Sequence, residues 1–286
     1  GQLVRRFAEF SGAQPLGNIS AGGLSILKQY GAEHVRTGRP ILYTSVDSVF
    51  QVAAHEDILP PEQLYDLCRS AKALTDEYGI ARVIARPFDG DSQGGFRRTA
   101  GRKDFTAPPP QKTLLEGLVD KGYMVTAVGK ISDLFAGRGI SRSVATVDNN
   151  DGMEKVIVGL AALETGLLMV NLIDFDMVYG HRNDALGFGR ALEDFDAWLP
   201  QLFNVMRTDD LLVICADHGC DPTSPGSDHT REYVPVLLWS KAMKRGRALG
   251  DRQSFSDVAA TLADFFRVPG TLAGESFERL LGLTYR

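Results

Sequence analysis

The chain has 286 residues, 44% of them hydrophobic and 23% charged, with a formal net charge of −5. That composition fits one or two globular domains with a sizeable core, and the lack of a basic block argues against nucleic acid as the main partner, although a local basic patch could still take phosphate. No apolar run reaches the roughly 18 residues of a membrane span, the N-terminal GQLVRRFAEFSG has no secretory apolar segment, and Cys68, Cys215 and Cys220 are too scattered for a disulfide framework, so a reducing, cytoplasmic setting is expected.

Strand-like and helix-like stretches alternate along the chain. PILYTSV (40–46) reads as a buried strand. PPEQLYDLCRSAKALTDEYG (60–79) reads as a helix with proline in its first turn and glycine at its end. RVIAR (82–86) is a short strand, and the Gly-, Pro- and Arg-rich stretch 86–112 reads as a functional loop or a boundary. TLLEGLVDKG (113–122) is helical, YMVTAVG (123–129) extended, and 151–165 helical again. LLMVNLID (167–174) is a strong strand. Phe188, Leu192, Phe195, Leu199, Leu202 and Met206 form a helical stripe over 184–206. LLVICAD (211–217) and VPVLLWS (234–240) are strands, and 256–268 is a helix. Such alternation predicts an α/β fold with a mostly parallel sheet covered on both faces.

Two strand ends concentrate the chemistry. LLMVNLID runs into DFDMVYGHRND (174–184), which offers Asp176 and His181. LLVICAD runs into ADHGCDPTSPGSDHT (216–230), which offers Asp217, His218, Asp228 and His229. The carboxyl edge of an open α/β sheet is where ligands bind. Three of the five histidines lie in these two loops, each with an aspartate close by. Mixed Asp/His sets suit Mn2+ or Zn2+, and five donors are about right for most of a two-metal site. Asp228 is either an orienting partner of His229 or a turn residue, and Cys220 reads as a small packed residue rather than a ligand. His34 and His55 read as partly exposed polar residues. Arg86, Arg97, Arg98, Arg102 and Lys103 form either a phosphate-binding cluster or a solvated basic loop. Lys130, just after a strand, either reaches phosphate or is an ordinary surface lysine.

YTSVDSVFQVAAHE (43–56), RVIARPFDG (82–90), VGKISDLFAGRGI (128–140), DFDMVYGHRND (174–184) and ADHGCDPTSPGSDHTREYVPVL (216–237) together resemble the phosphopentomutases, members of the alkaline phosphatase-like superfamily of metalloenzymes. The resemblance covers nearly the whole chain, and the last motif is its most specific part. It implies an alkaline phosphatase-like α/β core, a parallel-rich sheet flanked by helices, with a smaller α/β cap domain. Residues 1–107 would be the cap and 108–286 the C-terminal part of the core. The implied activity is interconversion of ribose or deoxyribose 1- and 5-phosphates, with a pair of Mn2+ ions, a phosphothreonine and a sugar bisphosphate activator. By that resemblance Asp176, His181 and His229 hold one metal, Asp217 and His218 help hold the other, and Ser45, Asp47, Arg86, Arg98 and Lys130 face the sugar phosphate.

The sequence departs from the family in two places that matter. The family's opening strand with its metal-binding aspartate, and its Asp-Thr-x-x-Gly-His-Trp-Glu-like nucleophile motif, have no counterpart among these residues. The nucleophilic threonine is therefore not in this chain, and the chain alone is expected to be inactive, with no phosphoenzyme. Missing first strands would also leave sheet edges and apolar surface exposed. No obligate protein partner is expected unless the missing part is a separate chain. A non-catalytic or partner-dependent metal and sugar-phosphate binding module, or another metallophosphomutase or phosphatase of the superfamily, are the alternatives. Gly101 and Lys103 stand where the family tends to have Asn and His.

Overall fold

Phe50–His55, a six-residue strand with every residue buried, forms the centre of the first sheet. The structure, a computed structural model, describes residues 1–44, 49–269 and 273–282. They divide into two units, Gly1–Pro108 and Pro109–Arg286.

In the first unit the order is α1 (Gln2–Ser11), β1 (Leu16–Ser20), α2 (Gly23–Thr37), β2 (Ile41–Thr44), β3 (Phe50–His55), α3 (Pro61–Asp76), β4 (Arg82–Asp91), β5 (Gly95–Arg98) and β6 (Lys103–Thr106). The sheet is mixed. β1 pairs parallel with β2, β2 antiparallel with β3, and β3 parallel with β4. The far edge of β4 is shared by β6 and then β5, both antiparallel. Side chains alternate across it with period two. Phe50, Val52 and Ala54 pack with Phe7, Leu64, Cys68 and Ala71, under α1 and α3. Ile41, Tyr43, Ala53 and Phe88 pack with Ile26 and Leu27 of α2 on the other face. Two covered faces explain why every residue of β3 is buried, polar Gln51 and His55 included.

The stretch 86–112 is more ordered than its composition suggests. It holds the second half of β4 together with β5 and β6, and Gly90 (φ 100°) and Gly95 (φ 87°) lie in the two strands on either side of the 92–94 turn. A second correction concerns His34 and His55. Both are buried rather than partly exposed, at 0% and 6% exposure. His34 Nδ1 lies 2.7 Å from the Arg39 carbonyl, so it donates there, and His34 Nε2 accepts the His55 backbone N–H at 2.9 Å. A buried polar ring is tolerated when both nitrogens are satisfied in this way.

The second unit runs α4 (Leu114–Asp120), β7 (Met124–Val128), α5 (Ile131–Leu134), β8 (Arg142–Val144), α6 (Asn149–Ala162), β9 (Gly166–Val170), α7 (Ala185–Val205), β10 (Leu212–Cys215), β11 (Val236–Trp239), α8 (Ser256–Phe265) and α9 (Glu278–Leu281). α4 opens with a capping box: Thr113 Oγ1 accepts the Glu116 N–H, and the Thr113 N–H donates to Glu116 Oε2. β7 lies between β8 and β9, parallel to both. β10 and β11 pair antiparallel, and neither is hydrogen-bonded to β9 among the described residues. α4, α8 and β7 share one core. α6, α7, β9, β10 and β11 share another, in which Phe203 stacks on Trp239 at 4.2 Å.

In this unit β7 is buried from Val125 to Val128, but the other apolar strands are less covered than their sequences predict. β9 is only half-buried throughout, and Leu237 of β11 is 58% exposed. The α7 stripe is likewise buried at Leu202 and Met206 but 50% exposed at Leu192. No helix among the described residues is long and apolar enough to cross a membrane.

Candidate metal centre

Four residues after β9 ends, the chain enters a π-helical turn, Phe175–Tyr179, followed by a 3-10 turn, Gly180–Arg182. Asp176 sits in the first and His181 in the second. Five residues apart, they would stand about 140° apart around an α-helix. The wider π turn brings them to one side, with His181 Nε2 3.3 Å from Asp176 Oδ1. Asn183, in the left-handed region at φ 55°, closes the turn and donates to the carbonyls of Pro222 and Ser224. That bond ties this loop to the one after β10.

The second loop is pinched shut. Gly219 and Thr230 form an antiparallel bridge, and the Asp221 N–H donates to Thr230 Oγ1 at 2.7 Å. Closing the loop sets His218 beside His229, their rings stacked at 3.7 Å. His229 Nε2 reaches 3.1 Å from Asp176 Oδ1, and its ring stacks on that of His181 at 4.8 Å. The two Asp-His pairs are thus folded together by a loop whose ends meet.

Proton positions follow from the outer contacts. His181 Nδ1 lies 2.6 Å from the Ser227 carbonyl and His218 Nδ1 3.0 Å from the Gly219 carbonyl. A carbonyl only accepts, so each Nδ1 carries a proton, and Nε2 is the atom each ring has left for a further partner. A lone pair aimed at carboxylate oxygen is stable only with a cation between them or a second proton on the ring. The spacings match a cation: with metal–ligand bonds of about 2.0–2.1 Å, neighbouring donors stand about 3.0–3.4 Å apart. His181 and His229 stand at such distances from Asp176 Oδ1; more loosely, two donor groups have ligand atoms within 4.8 Å of one another, Asp176 with His181 and Cys220, and Asp176 with His218 and His229.

Asp176, His181, His218 and His229 therefore stand together. Asp217 is set apart: its side chain is 81% exposed and lies 3.6 Å from His218 Nε2, and it is in neither donor group. His218 groups with Asp176 and His229, across the division that the sequence motif implied. Cys220, read from sequence as packing, lies 3.5 Å from Asp176 Oδ1. Burial, and then its hydrogen bond to Asp176, push its thiol up to about 11, so the metal-free thiol is a donor to that carboxylate. Nothing in the spacing of the sequence announces this contact, since it depends on the π turn and on Gly180. A Cβ at Gly180 would overlap Cys220 Sγ and crowd the Phe175 carbonyl.

Lys130 follows β7. Gly129, at φ 83°, makes the turn where a side chain would run into Asn171, and the Lys130 N–H donates to Asn171 Oδ1 at 2.8 Å. Lys130 Nζ lies 2.8 Å from Met177 Sδ, on the turn that carries Asp176. In the first unit, Arg86 Nε donates to Gln51 Oε1 at 2.9 Å, and Gln51 is 1% exposed. Burial, then the charges of Arg102 and Arg98, push the Arg86 guanidinium down from its ordinary value to about 10. Such crowding is a local excess of positive charge. Arg102 is held by Asp104 through a two-point contact, at 2.7 and 2.8 Å, and exposed Arg98 touches the Tyr43 hydroxyl at 3.4 Å. Ser45 and Asp47 lie outside the described residues.

A family model described as the Metalloenzyme superfamily matches residues 15–270. A phosphopentomutase of Syntrophotalea carbinolica is 57% identical over 281 residues, 98% of this chain and 71% of that protein. The chain belongs to the phosphopentomutase family. Family members from Acetivibrio thermocellus and Caldanaerobacter subterraneus are 51% and 50% identical, over 96% and 99% of this chain and 71% and 72% of theirs. Among solved structures, a Leishmania mexicana phosphoglycerate mutase superposes with a TM-score of 0.46 at 20% identity, over 60% of this chain and 40% of that one. The chain thus spans less than half of that solved protein. Membership of a metalloenzyme superfamily agrees with the donor chemistry at the strand ends.

Proposed function

We propose that this chain carries the metal-binding and sugar-phosphate-binding parts of a phosphopentomutase, an isomerase that interconverts the 1- and 5-phosphates of ribose or deoxyribose. The observation that carries the reading is the convergence of His181 and His229 on one oxygen of Asp176, at 3.3 and 3.1 Å. In this reading Asp176, His181 and His229 hold one Mn2+, and His218 with Asp217 contributes to a second. A bound divalent ion there supplies Lewis acidity and neutralises charge on phosphoryl oxygens.

The chain's own residues do the rest. Asp176 brings negative charge to the centre. The Ser227 and Gly219 carbonyls fix the ring orientations of His181 and His218, the outer contact that ligating histidines usually have. Lys130 sets a positive charge beside the Asp176 turn, suited to a phosphate oxygen. Arg86 and Arg98 offer guanidinium groups to the sugar phosphate, and the crowded charge around Arg86 favours an anion. Ser45 and Asp47 are proposed as further contacts. Unit 1 is read as the cap and unit 2 as the metal-binding core.

The family's phosphothreonine has no motif among these 286 residues. Phosphoryl relay, with a sugar bisphosphate as activator, is therefore proposed only where that motif is present too, in the cytoplasm. The test is conversion of ribose 1-phosphate to ribose 5-phosphate with Mn2+ and a sugar bisphosphate. The chain is assayed alone and then with a polypeptide carrying the family's Asp-Thr segment. Turnover only in the combined sample is expected. Turnover by the chain alone would mean that the nucleophile lies among its own residues. Action on phosphoglycerate instead of ribose phosphate would overturn the assignment of substrate.

A further inference from the structure

Five arginines lie on or beside β4, β5 and β6: Arg82, Arg86, Arg97, Arg98 and Arg102. Three of them meet a carboxylate. Arg82 and Arg102 reach Asp104 at 3.8 and 2.7 Å, and Arg97 reaches Asp89 at 2.8 Å. Among the described residues, the other two meet only neutral groups. Arg86 Nε donates to the Gln51 amide oxygen at 2.9 Å, and Arg98 Nη2 touches the Tyr43 hydroxyl at 3.4 Å. Both neutral partners are buried, at 1% exposure. Strand register puts all four side chains on one face of the sheet. Gln51 stands opposite Tyr43, Arg86 opposite Ala53 and Arg98 opposite Phe88. Tyr43, Ala53 and Phe88 belong to the core under α2. The Arg98 guanidinium lies against Gly23, where a Cβ would collide with it, and the first turn of α2 carries no acidic residue. Arg98 is also near enough to weaken the hold of Arg86 on its proton.

A charge drawn into a protein is costly unless it is paired, so a carboxylate would be the ordinary partner for Arg86. Gln51 has the shape of a glutamate without its charge. Its oxygen takes the Arg86 Nε–H, which orients the guanidinium plane and leaves the positive charge uncompensated. We infer that Gln51 is a positioning residue for the substrate: it aims Arg86 without neutralising it, so that Arg86 and Arg98 together face the oxygens of a phosphate dianion. This rests on the sugar-phosphate reading of the first unit and deepens it, because it names what makes the two arginines available. Neutrality at position 51 is the property that matters. Two unpaired guanidinium groups favour a doubly charged phosphate monoester over the uncharged sugar, and a carboxylate at position 51 would remove half of that advantage.

Ribose 5-phosphate and ribose are the probes, titrated calorimetrically into the full chain at several salt concentrations, with a chelator present so that metal contributes nothing. The unaltered chain should prefer ribose 5-phosphate. Gln51→Glu keeps the shape and the contact to Arg86, so a purely structural role would leave binding unchanged. The inference instead expects affinity for ribose 5-phosphate to fall about tenfold or more and its salt dependence to flatten. Gln51→Met, neutral and of similar size, should lower affinity but keep the salt dependence, because the charge stays and its aim is lost. Arg86→Lys is the comparison. Weakened binding in Arg86→Lys with unchanged binding in Gln51→Glu or Gln51→Met would overturn the role of Gln51 and leave the sugar-phosphate reading standing. Equal affinity of the unaltered chain for ribose and ribose 5-phosphate would overturn both.

Discussion

Asp176 is the side chain common to both candidate donor groups. Asp176→Asn keeps the shape and removes the charge, so metal affinity should fall on the order of 10–100-fold or more. Isothermal titration with Mn2+ checks this, and unchanged affinity would contradict it. Gly180 is a different kind of requirement. Gly180→Ala would drive a Cβ into Cys220 Sγ and should cost about 1–3 kcal/mol, as overpacking does, read as a lowered denaturation midpoint. Near the Arg86 guanidinium, Gln51→Leu removes a buried acceptor. The unpaired Nε–H should cost about 1–3 kcal/mol and weaken sugar-phosphate binding, measurable by thermal denaturation and by titration with ribose 5-phosphate.

At the level of elements, α2 and β3 are joined by the bond from the His55 N–H to His34 Nε2. Burial lowers the affinity of His34 for a second proton; the hydrogen bond to the Arg39 carbonyl opposes this, and nearby His55 adds to it. The unfolded chain takes up that proton as pH falls through about 6.5, while the folded chain resists. Stability from this group is therefore complete above that pH and is lost as pH falls below it. Urea titrations between neutral and mildly acidic pH should show the first unit weakening, and His34→Gln should flatten that dependence. Equal pH dependence in both proteins would count against it.

The elements also show what a sequence can and cannot reveal. β7, β9, α3, α4 and α7 were legible because long apolar periods and clear end signals mark them. α2 was hidden, since it opens with Gly22 and Gly23, lacks a side-chain cap and carries Gly31 inside. β5 and β6 were obscured by glycine, proline and arginine, residues that serve turns and charge as readily as strands. The donor residues Asp176, His181, His218 and His229 could be picked out by type and by their position at strand ends. Their grouping could not. It depends on a π turn and a backbone bridge, which leave no periodic trace.

Over the whole chain, the two units are built on different plans. The first unit closes its mixed sheet with helices on both faces. The second leaves apolar strands half-buried, and Val158, Leu186 and Leu237 stand well exposed. Its candidate metal centre is nevertheless fixed locally, by bonds within and between the two loops that carry the donor residues. Metal binding should for that reason survive substitutions in the first unit, and Arg86→Lys is expected to weaken sugar-phosphate binding while leaving Mn2+ affinity within about twofold. Loss of both together would contradict a locally built centre.

The most direct measurement is the amount of Mn2+ bound per chain at saturation, by metal analysis after equilibrium dialysis, for the unaltered protein and for Asp176→Asn. A centre organised on Asp176 predicts bound Mn2+ in the first and about one ion fewer per chain in the second, with the fold unchanged by circular dichroism. Equal Mn2+ in both proteins would mean that Asp176 is not a ligand and that the convergence of His181 and His229 on it serves another purpose.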